Sequence, residues 1–403
     1  MEKVSWRRRE DRGDNASLKK RIKRGGGEVI EIPNDDTLEE IMVRLPVKTL
    51  VRFQIVSKHW RGMITSSSFR EKYLLHQKTQ EPKFVCIYED EDWNCHNLAA
   101  KTMSRMECST CLAEEEECHI TMDDKEEKLV VISDSLDGLV CLYGFTDLTR
   151  PIKVINPATR WSHTLPLAQI QRSHKKKKLF PSPGFGKDYV TGAYKLVWLH
   201  NINDDNTATC EVFDFGVKQW RQVSPPCPDH HRIDQYREPI FANGWLYWFC
   251  QDKTKLVAFD LHMDTFRVIP NPSPPSSSVV EMHMGSIDDD RRLMWISEIN
   301  KDGMQHVWRL TNHNTGGALL KMGKMFSFEL NKIFWIEPFP HPSSHLRLEA
   351  LSKKGNKAML SIPSSQFFYL FQHPTNLTSI SYSPPRPTHS LIRSYFPSFA
   401  SPL

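Results

Sequence analysis

Apolar residues recur at helical spacing over one short stretch near the start of the chain, and at strand spacing over most of the remaining sequence. Leu38, Ile41, Met42 and Leu45 fall at i, i+3, i+4 and i+7 and so form one stripe. The polar run Asn34-Asp35-Asp36-Thr37 precedes it, and either Asp36 with Glu39 or Thr37 with Glu40 has the spacing of a capping box. A helix is predicted to start there and to stop at Pro46, which lacks an amide proton and disfavours helical geometry in the residue before it. Leu50, Phe53, Val56 and Trp60 give a second stripe, with Lys48, Arg52, Lys58 and Arg61 on the other sides, and a third, weaker segment runs from Ser68 through Phe69, Tyr73 and Leu74. Three helices in about 45 residues bury little surface by themselves. Their stripes either pack on one another and on the rest of the chain or are covered by a partner, and periodicity alone leaves both readings open.

Residues 77–128 mix a strand-like run, Lys83 to Tyr88, with the acidic segment Glu114 to Glu117, and are predicted to be an irregular connection. From Leu129 short β-type segments alternate with turn residues, and one unit repeats. KVINPATRWSHTLP (Lys153 to Pro166), CEVFDFGVKQWRQVSPP (Cys210 to Pro226) and KLVAFDLHMDTFRVIP (Lys255 to Pro270) each run from apolar residues through an Asn or Asp turn to an aromatic. That plan predicts a hairpin whose second strand carries an inward aromatic. Trp161, Trp220 and Phe266 recur after 59 and 46 residues, near the length of a propeller blade, a unit too small to bury its sheet without neighbours. Leu293 to Ile299 with His306 to Leu310, and Phe367 to Ile380, read as degenerate copies.

The helical stretch IPNDDTLEEIMVRLPVKTLVRFQIVSKHWRGMI (Ile32 to Ile64) closely resembles the F-box of plant F-box proteins, from its Ile-Pro opening through R-L-P-V-K to V-S-K-x-W-R. The resemblance implies docking onto the Skp adaptor, and through it the cullin, of a Skp-cullin-F-box ubiquitin ligase. Carried over, the adaptor-facing positions are Ile32, Pro33, Leu38, Ile41, Leu45, Pro46, Val47, Leu50, Phe53, Val56 and Trp60. Pro46 lies thirteen positions after Pro33 where the family pattern has twelve; the extra residue falls in the loop ahead of the helix cap and leaves the stripes untouched. Further on, SLDGLVCLYG (Ser135 to Gly144), VINPATRWSHTLP, PGFGKDYVTGAYKLV (Pro183 to Val197), CEVFDFGVKQWRQV, FANGWLYWF (Phe241 to Phe249) and LVAFDLHMDTFRVIP resemble the F-box-associated, kelch-like domain in that family's order.

The expected architecture is therefore α+β and multidomain, a small three-helix F-box followed by a large all-β, propeller-like domain. Its segments are a disordered basic tail (1–28), the helical module (29–76), the irregular connection (77–128), the β-rich domain (129–385) and a C-terminal tail (386–403). The implied role is a non-catalytic substrate receptor; the alternatives are a kelch-like scaffold outside any ligase, a propeller enzyme and a nucleic-acid binder.

Charge bears on the last of these. The formal net charge of +5 resides in the first 28 residues, which hold ten Lys or Arg against five acids, so the body is neutral and is not built as a polyanion surface. LKKRIKR (Leu18 to Arg24) reads either as a nuclear-import signal or as solvated tail charge. No run reaches the 18 or so apolar residues of a membrane span, no secretory leader is evident, and nine scattered cysteines do not form a disulfide framework. The expectation is a protein of the nucleus and/or cytoplasm, without cofactor, metal, membrane or nucleic-acid partner.

Candidate chemistry is sparse. Cys108-x-x-Cys111 with Cys118-His119 has only one pair at zinc-ligand spacing, and unligated thiols fit better. Gly184-Phe185-Gly186-Lys187 lacks the Ser/Thr and the spacing of a phosphate loop and reads as a turn between strands. His230-His231 and Lys175 to Lys178 read as surface loops, and Trp161, Trp220, Trp245 and Trp248 read as core before they read as a recognition surface.

Overall fold

In the computed structural model, residues 21–23, 29–31, 34–89, 97–103, 116–121, 130–144, 149–173, 182–201, 208–223, 232–234, 237–273, 276–287, 293–312, 320–330, 346–351, 357–361, 368–372, 376–380 and 391–402 are described. They divide into two units, Met1–Gln77 and Lys78–Leu403.

The first unit holds four helices where three were expected: α1 (Asp35–Val43), α2 (Val47–Phe53), α3 (Lys58–Thr65) and α4 (Ser67–Thr79), the last running across the boundary. The cap of α1 is Asn34, ahead of both predicted boxes, because its side chain accepts the Thr37 N–H at 2.9 Å. The stripe from Leu50 to Trp60 is two helices, since Ser57 caps a new start by accepting the Trp60 N–H at 3.1 Å. Leu38, Met42, Val43, Val47, Leu50, Ile64, Phe69 and Tyr73 are buried, and the Tyr73 hydroxyl donates to the Leu45 carbonyl at 3.1 Å. Ahead of α1, Arg21–Lys23 pairs antiparallel with Val29–Glu31. That short hairpin, with Ile22 opposite Ile30, stands where a disordered arm was expected through residue 28; charge had masked a β-branched pairing.

The second unit is a propeller, with six four-stranded antiparallel sheets among the described residues. The second blade comprises Val130–Ile132, Val140–Gly144, Lys153–Asn156 and Trp161–Thr164; the third Gly184–Lys187, Tyr194–Asn201, Ala208–Asp214 and Gln219–Gln222. The fourth comprises Ile240–Ala242, Trp245–Phe249, Lys255–Asp260 and Thr265–Pro270; the fifth Val279–Ile287, Leu293–Asn300, Met304–Asn312 and Leu320–Glu329. The sixth comprises Arg347–Leu351, Lys357–Ser361, Phe368–Gln372 and Asn376–Ile380, so both degenerate copies are blade strands.

The first blade is assembled from both ends of the chain. Lys83–Glu89, Asn97–Met103 and Glu116–Thr121 form three of its strands, and Leu391–Tyr395 pairs with Lys83–Ile87 as the fourth. Two expectations are corrected here: 77–128 is not an irregular connection, and 386–403 is not a tail. The inner strands, which are the first strands of blades two to six and Leu391–Tyr395 of the first blade, run side by side, third blade beside fourth, fourth beside fifth, fifth beside sixth, sixth beside first and first beside second, which closes the ring on the C-terminal strand.

Each blade is buried against its neighbours. Val85 and Tyr395 of the first blade pack with Ile132, Val140 and Ile155 of the second; Leu256 and Phe249 of the fourth pack with Met282 and Ile296 of the fifth; Trp295 and Val307 of the fifth pack with Leu348 and Leu360 of the sixth. The repeated hairpin joins the third and fourth strands of blades two, three and four. Its Asn or Asp is a turn former: Asn156 Oδ1 accepts the Ala158 N–H at 3.1 Å, Asp214 Oδ1 the Gly216 N–H at 2.8 Å, and Asp260 Oδ1 the His262 N–H at 2.8 Å. The turn closes on a left-handed residue each time, Arg160, Lys218 and Asp264, at φ of 60°, 62° and 53°. Trp161 takes the first position of its strand, while Trp220 and Phe266 take the second and therefore the opposite face. All three nonetheless pack on one core, because blades are covered on both sides.

Asn156 also anchors the end of the chain. Buried, it donates through Nδ2 to the carbonyls of Ser398 and Ala400, both at 3.0 Å, while Ser398 Oγ donates to the Asp137 carbonyl. Gly138 lies at φ +82°, and a Cβ there would stand 2.6 Å from the Phe396 carbonyl oxygen. The SLDGLV and NPATR motifs therefore hold the segment that follows the closing strand.

Candidate functional site

Two surfaces carry the candidate chemistry, one in each unit. On the helical unit, Ile32 and Pro33 lie outside the described residues. Leu38, Val47 and Leu50, expected to face an adaptor, are interior instead, with Leu50 at 0% exposure. Leu45, Phe53 and Trp60 are half-buried, with the Phe53 and Trp60 rings 5.1 Å apart. Ile41, Pro46 and Val56 are exposed. Three large apolar side chains outside the expected set are exposed as well: Leu75 on α4, Val51 and, at 80%, Ile55. Ile55 and Val56 end the turn after α2, their N–H groups donating to the carbonyls of Arg52 and Phe53 at 3.2 and 3.1 Å. Arg61 Nε donates to the Gln54 carbonyl at 3.2 Å and ties α3 to that turn. Exposed β-branched side chains on a braced turn, beside half-buried aromatics, form a preorganised apolar face.

In the propeller, first-strand residues and their flanks converge on a buried ion network. Arg347, at the start of the sixth blade, pairs through Nη2 with Asp134 of the second blade, through Nη1 with Glu238 Oε2 at 3.0 Å beside the fourth, and through Nε with Glu349 Oε1 at 3.5 Å. Arg393, on the closing strand, reaches Asp134 at 3.3 Å and Glu238 at 3.2 Å. Burial alone would lower the pKa of Arg347, but the Asp134 and Glu238 charges outweigh it and keep the guanidinium charged. Burial pushes the Glu349 carboxyl above its ordinary value of 4.5, against the pull of Arg347, Arg393 and a 2.6 Å hydrogen bond from Ser361 Oγ. These contacts cross the ring, so the network cements the closure.

The sequence motifs resolve differently from one another. Gly184–Lys187 is not a turn but the first strand of the third blade, where Lys187 Nζ meets the buried Asp137 carboxylate at 2.8 Å beside the Tyr194 hydroxyl at 2.9 Å. Trp248 is buried; Trp161, Trp220 and Trp245 are half-buried, with the Arg267 guanidinium 5.1 Å over the Trp245 ring. Cys108, Cys111, His230, His231 and Lys175 to Lys178 lie outside the described residues, and Cys118 and His119 are placed only as strand backbone. Among the described residues no group of three His, Cys, Asp or Glu is placed to hold a metal ion, and no helix is long and apolar enough to cross a membrane. Cys141, Cys210 and Cys250 are buried free thiols, and burial pushes that of Cys250 up to about 11, far from a nucleophilic thiolate at neutral pH.

One buried carboxylate gives the third blade an acid-labile element. Asp188 accepts from Thr191 Oγ1 at 2.7 Å, from the Val190 N–H at 2.8 Å, and lies 3.2 Å from His262 Nδ1. Burial raises its pKa, yet these hydrogen bonds prevail and bring it from 3.8 to about 2. The stabilisation is complete above pH 3.8 and is lost as pH falls toward about 2. Asp188→Asn is expected to cost roughly 2 kcal/mol at pH 6 and to flatten the loss of stability between pH 4 and 2, measured by urea unfolding across that range.

A helical unit with an exposed apolar face and a propeller with six blades among the described residues define a two-unit, F-box-like architecture. Two family models match the chain, the F-box domain over residues 34–72 and the F-box associated beta propeller domain over residues 83–313. An F-box protein of Arabidopsis thaliana is 38% identical over 59% of this chain and 57% of its own length, so this chain spans little more than half of that relative. An F-box/LRR-repeat/kelch-repeat protein of Arabidopsis thaliana is 36% identical over 69% of this chain and 74% of its own length. The chain belongs to the family of F-box proteins with an F-box associated β-propeller domain.

Proposed function

We propose that the chain is the substrate-recognition subunit of a Skp-cullin-F-box ubiquitin ligase, acting in the nucleus and/or cytoplasm. The F-box docks the Skp adaptor, the adaptor joins the cullin, and the propeller holds the target protein. The observation that carries this reading is the apolar face left open on the helical unit, where Ile55 and Val56 are 80% and 60% exposed. In this assignment Ile41, Leu45, Pro46, Phe53, Val56 and Trp60 meet the adaptor together with Val51 and Ile55, while Leu38, Val47 and Leu50 hold the helices in place. Each large apolar side chain covered contributes about 1.5 to 3 kcal/mol before association costs.

The subunit makes and breaks no bonds. It raises the effective concentration of the target's lysines near the ubiquitin carrier. The full chain mixed with a purified Skp-type adaptor at micromolar concentration is expected to co-elute on gel filtration as a single complex. Separate elution of two folded proteins overturns the assignment.

A further inference from the structure

Among the described residues of the propeller, five large apolar side chains are exposed: Tyr189, Val190, Val217, Met263 and Val280. The first four, between 48% and 71% exposed, share one end of two adjacent blades. Tyr189 and Val190 sit in the turn between the first and second strands of the third blade, and Val217 in the turn between its third and fourth. Met263 occupies the corresponding later turn of the fourth blade. In an up-and-down sheet those connections emerge at the same end, so the four side chains point to one side of the ring.

The turns are fixed to one another. Asp188 of the first contacts His262 beside Met263 at 3.2 Å. Asp264, on the other side of Met263, pairs with Arg221 on the strand that follows Val217 and lies 3.5 Å from Lys195. The Tyr189 ring meets the Phe241 ring edge-on at 5.7 Å. Such bracing holds apolar side chains in water without letting them collapse onto the core, which lowers the entropy cost of covering them.

Charge at this end is sorted by depth. The carboxylates turn inward: Asp188 is buried, Asp214 and Asp260 accept N–H groups of their own turns, and Asp264 lies between two cations. Lys218, Arg221 and His262 are exposed, with Arg221 set against Asp264 and His262 against Asp188. A partner therefore meets apolar side chains edged by the Lys218 ammonium and the Arg221 guanidinium, donors that suit carboxylates placed beside an apolar side chain.

We propose that this end of blades three and four binds the target's recognition segment, a peptide in which an apolar or aromatic residue is flanked by Asp or Glu. The inference rests on the receptor role proposed above and locates the target site within it. The test is a selection of random peptides displayed on phage against the full chain, alone and mixed with its adaptor, with parallel binding to Val217→Asp, Met263→Asp and Lys218→Glu variants. Enrichment of apolar-acidic peptides is expected, with affinity falling about tenfold or more in the first two variants and with the preference for acidic over basic flanks lost in the third.

Adaptor co-elution and thermal midpoints of all three variants should match the parent, since the replaced side chains are exposed. Peptides that bind the variants undiminished, enrichment without acidic flanks, or no enrichment at all overturns the proposal. So does a dimer of the parent chain abolished by Met263→Asp, which would make a second copy the occupant. Loss of adaptor co-elution with peptide selection intact would instead remove the ligase reading and leave the surface standing.

Discussion

Ile55→Asp is expected to weaken adaptor binding by more than about a hundredfold while leaving the thermal midpoint of the chain unchanged, and Val56→Asp should do nearly the same. Both side chains are largely exposed in the free chain, so a carboxylate there stays hydrated and costs the fold little. Once covered, the same carboxylate sits unpaired against apolar surface, and desolvating it costs several kcal/mol. The contrast with Leu50 gives the experiment its force. At 0% exposure, Leu50→Asp would break the helical unit itself, and lost binding would then report unfolding. Trp60→Ala is mixed, since the ring is half-buried and packs at a tilt against Phe53. Titration calorimetry with the adaptor, paired with scanning calorimetry of each variant, separates the two effects. Parent-like affinity in both Ile55→Asp and Val56→Asp would rule out this face.

Much of the fold could be read from the sequence because it is written locally. The hairpins of blades two to four were legible since each repeats an Asx turn, a left-handed closing residue and an aromatic within a few positions. The helical stripes were legible for the same reason, but their phase was not. Ser57 restarts the helix, so a stripe drawn straight from Leu50 to Trp60 mixed interior positions with exposed ones and passed over Val51 and Ile55. The first blade was illegible because it pairs Leu391–Tyr395 with Lys83–Ile87, and no local pattern announces a partner some 300 residues away. The central ion network left no motif at all: Asp134, Glu238, Arg347 and Arg393 lie far apart in the sequence and meet only when the ring closes.

That network sets the largest expected stability effect. Arg347→Met is expected to destabilise the propeller by about 3 to 5 kcal/mol at pH 7, because it strands the buried Glu349 carboxyl beside two half-buried carboxylates and does not merely delete an attraction. Arg347 reaches Asp134, Glu238 and Glu349, whereas Arg393 reaches Asp134 and Glu238. The pH dependence arises from Glu349. Its folded pKa is already raised by burial and is held down in part by Arg347, so removing the guanidinium raises it further. A carboxyl raised in the folded state contributes stability that is complete below its ordinary 4.5 and is lost as pH rises through the folded value. The penalty of Arg347→Met should therefore shrink as pH is lowered from 7 toward 5, where the stranded carboxyl takes up a proton and ceases to be a buried charge. Adding Glu349→Gln should recover part of the loss at pH 7 and flatten its pH dependence. Urea unfolding at both pH values measures each quantity. A penalty below about 1 kcal/mol, or one indifferent to pH, would show that the ring closes without this network.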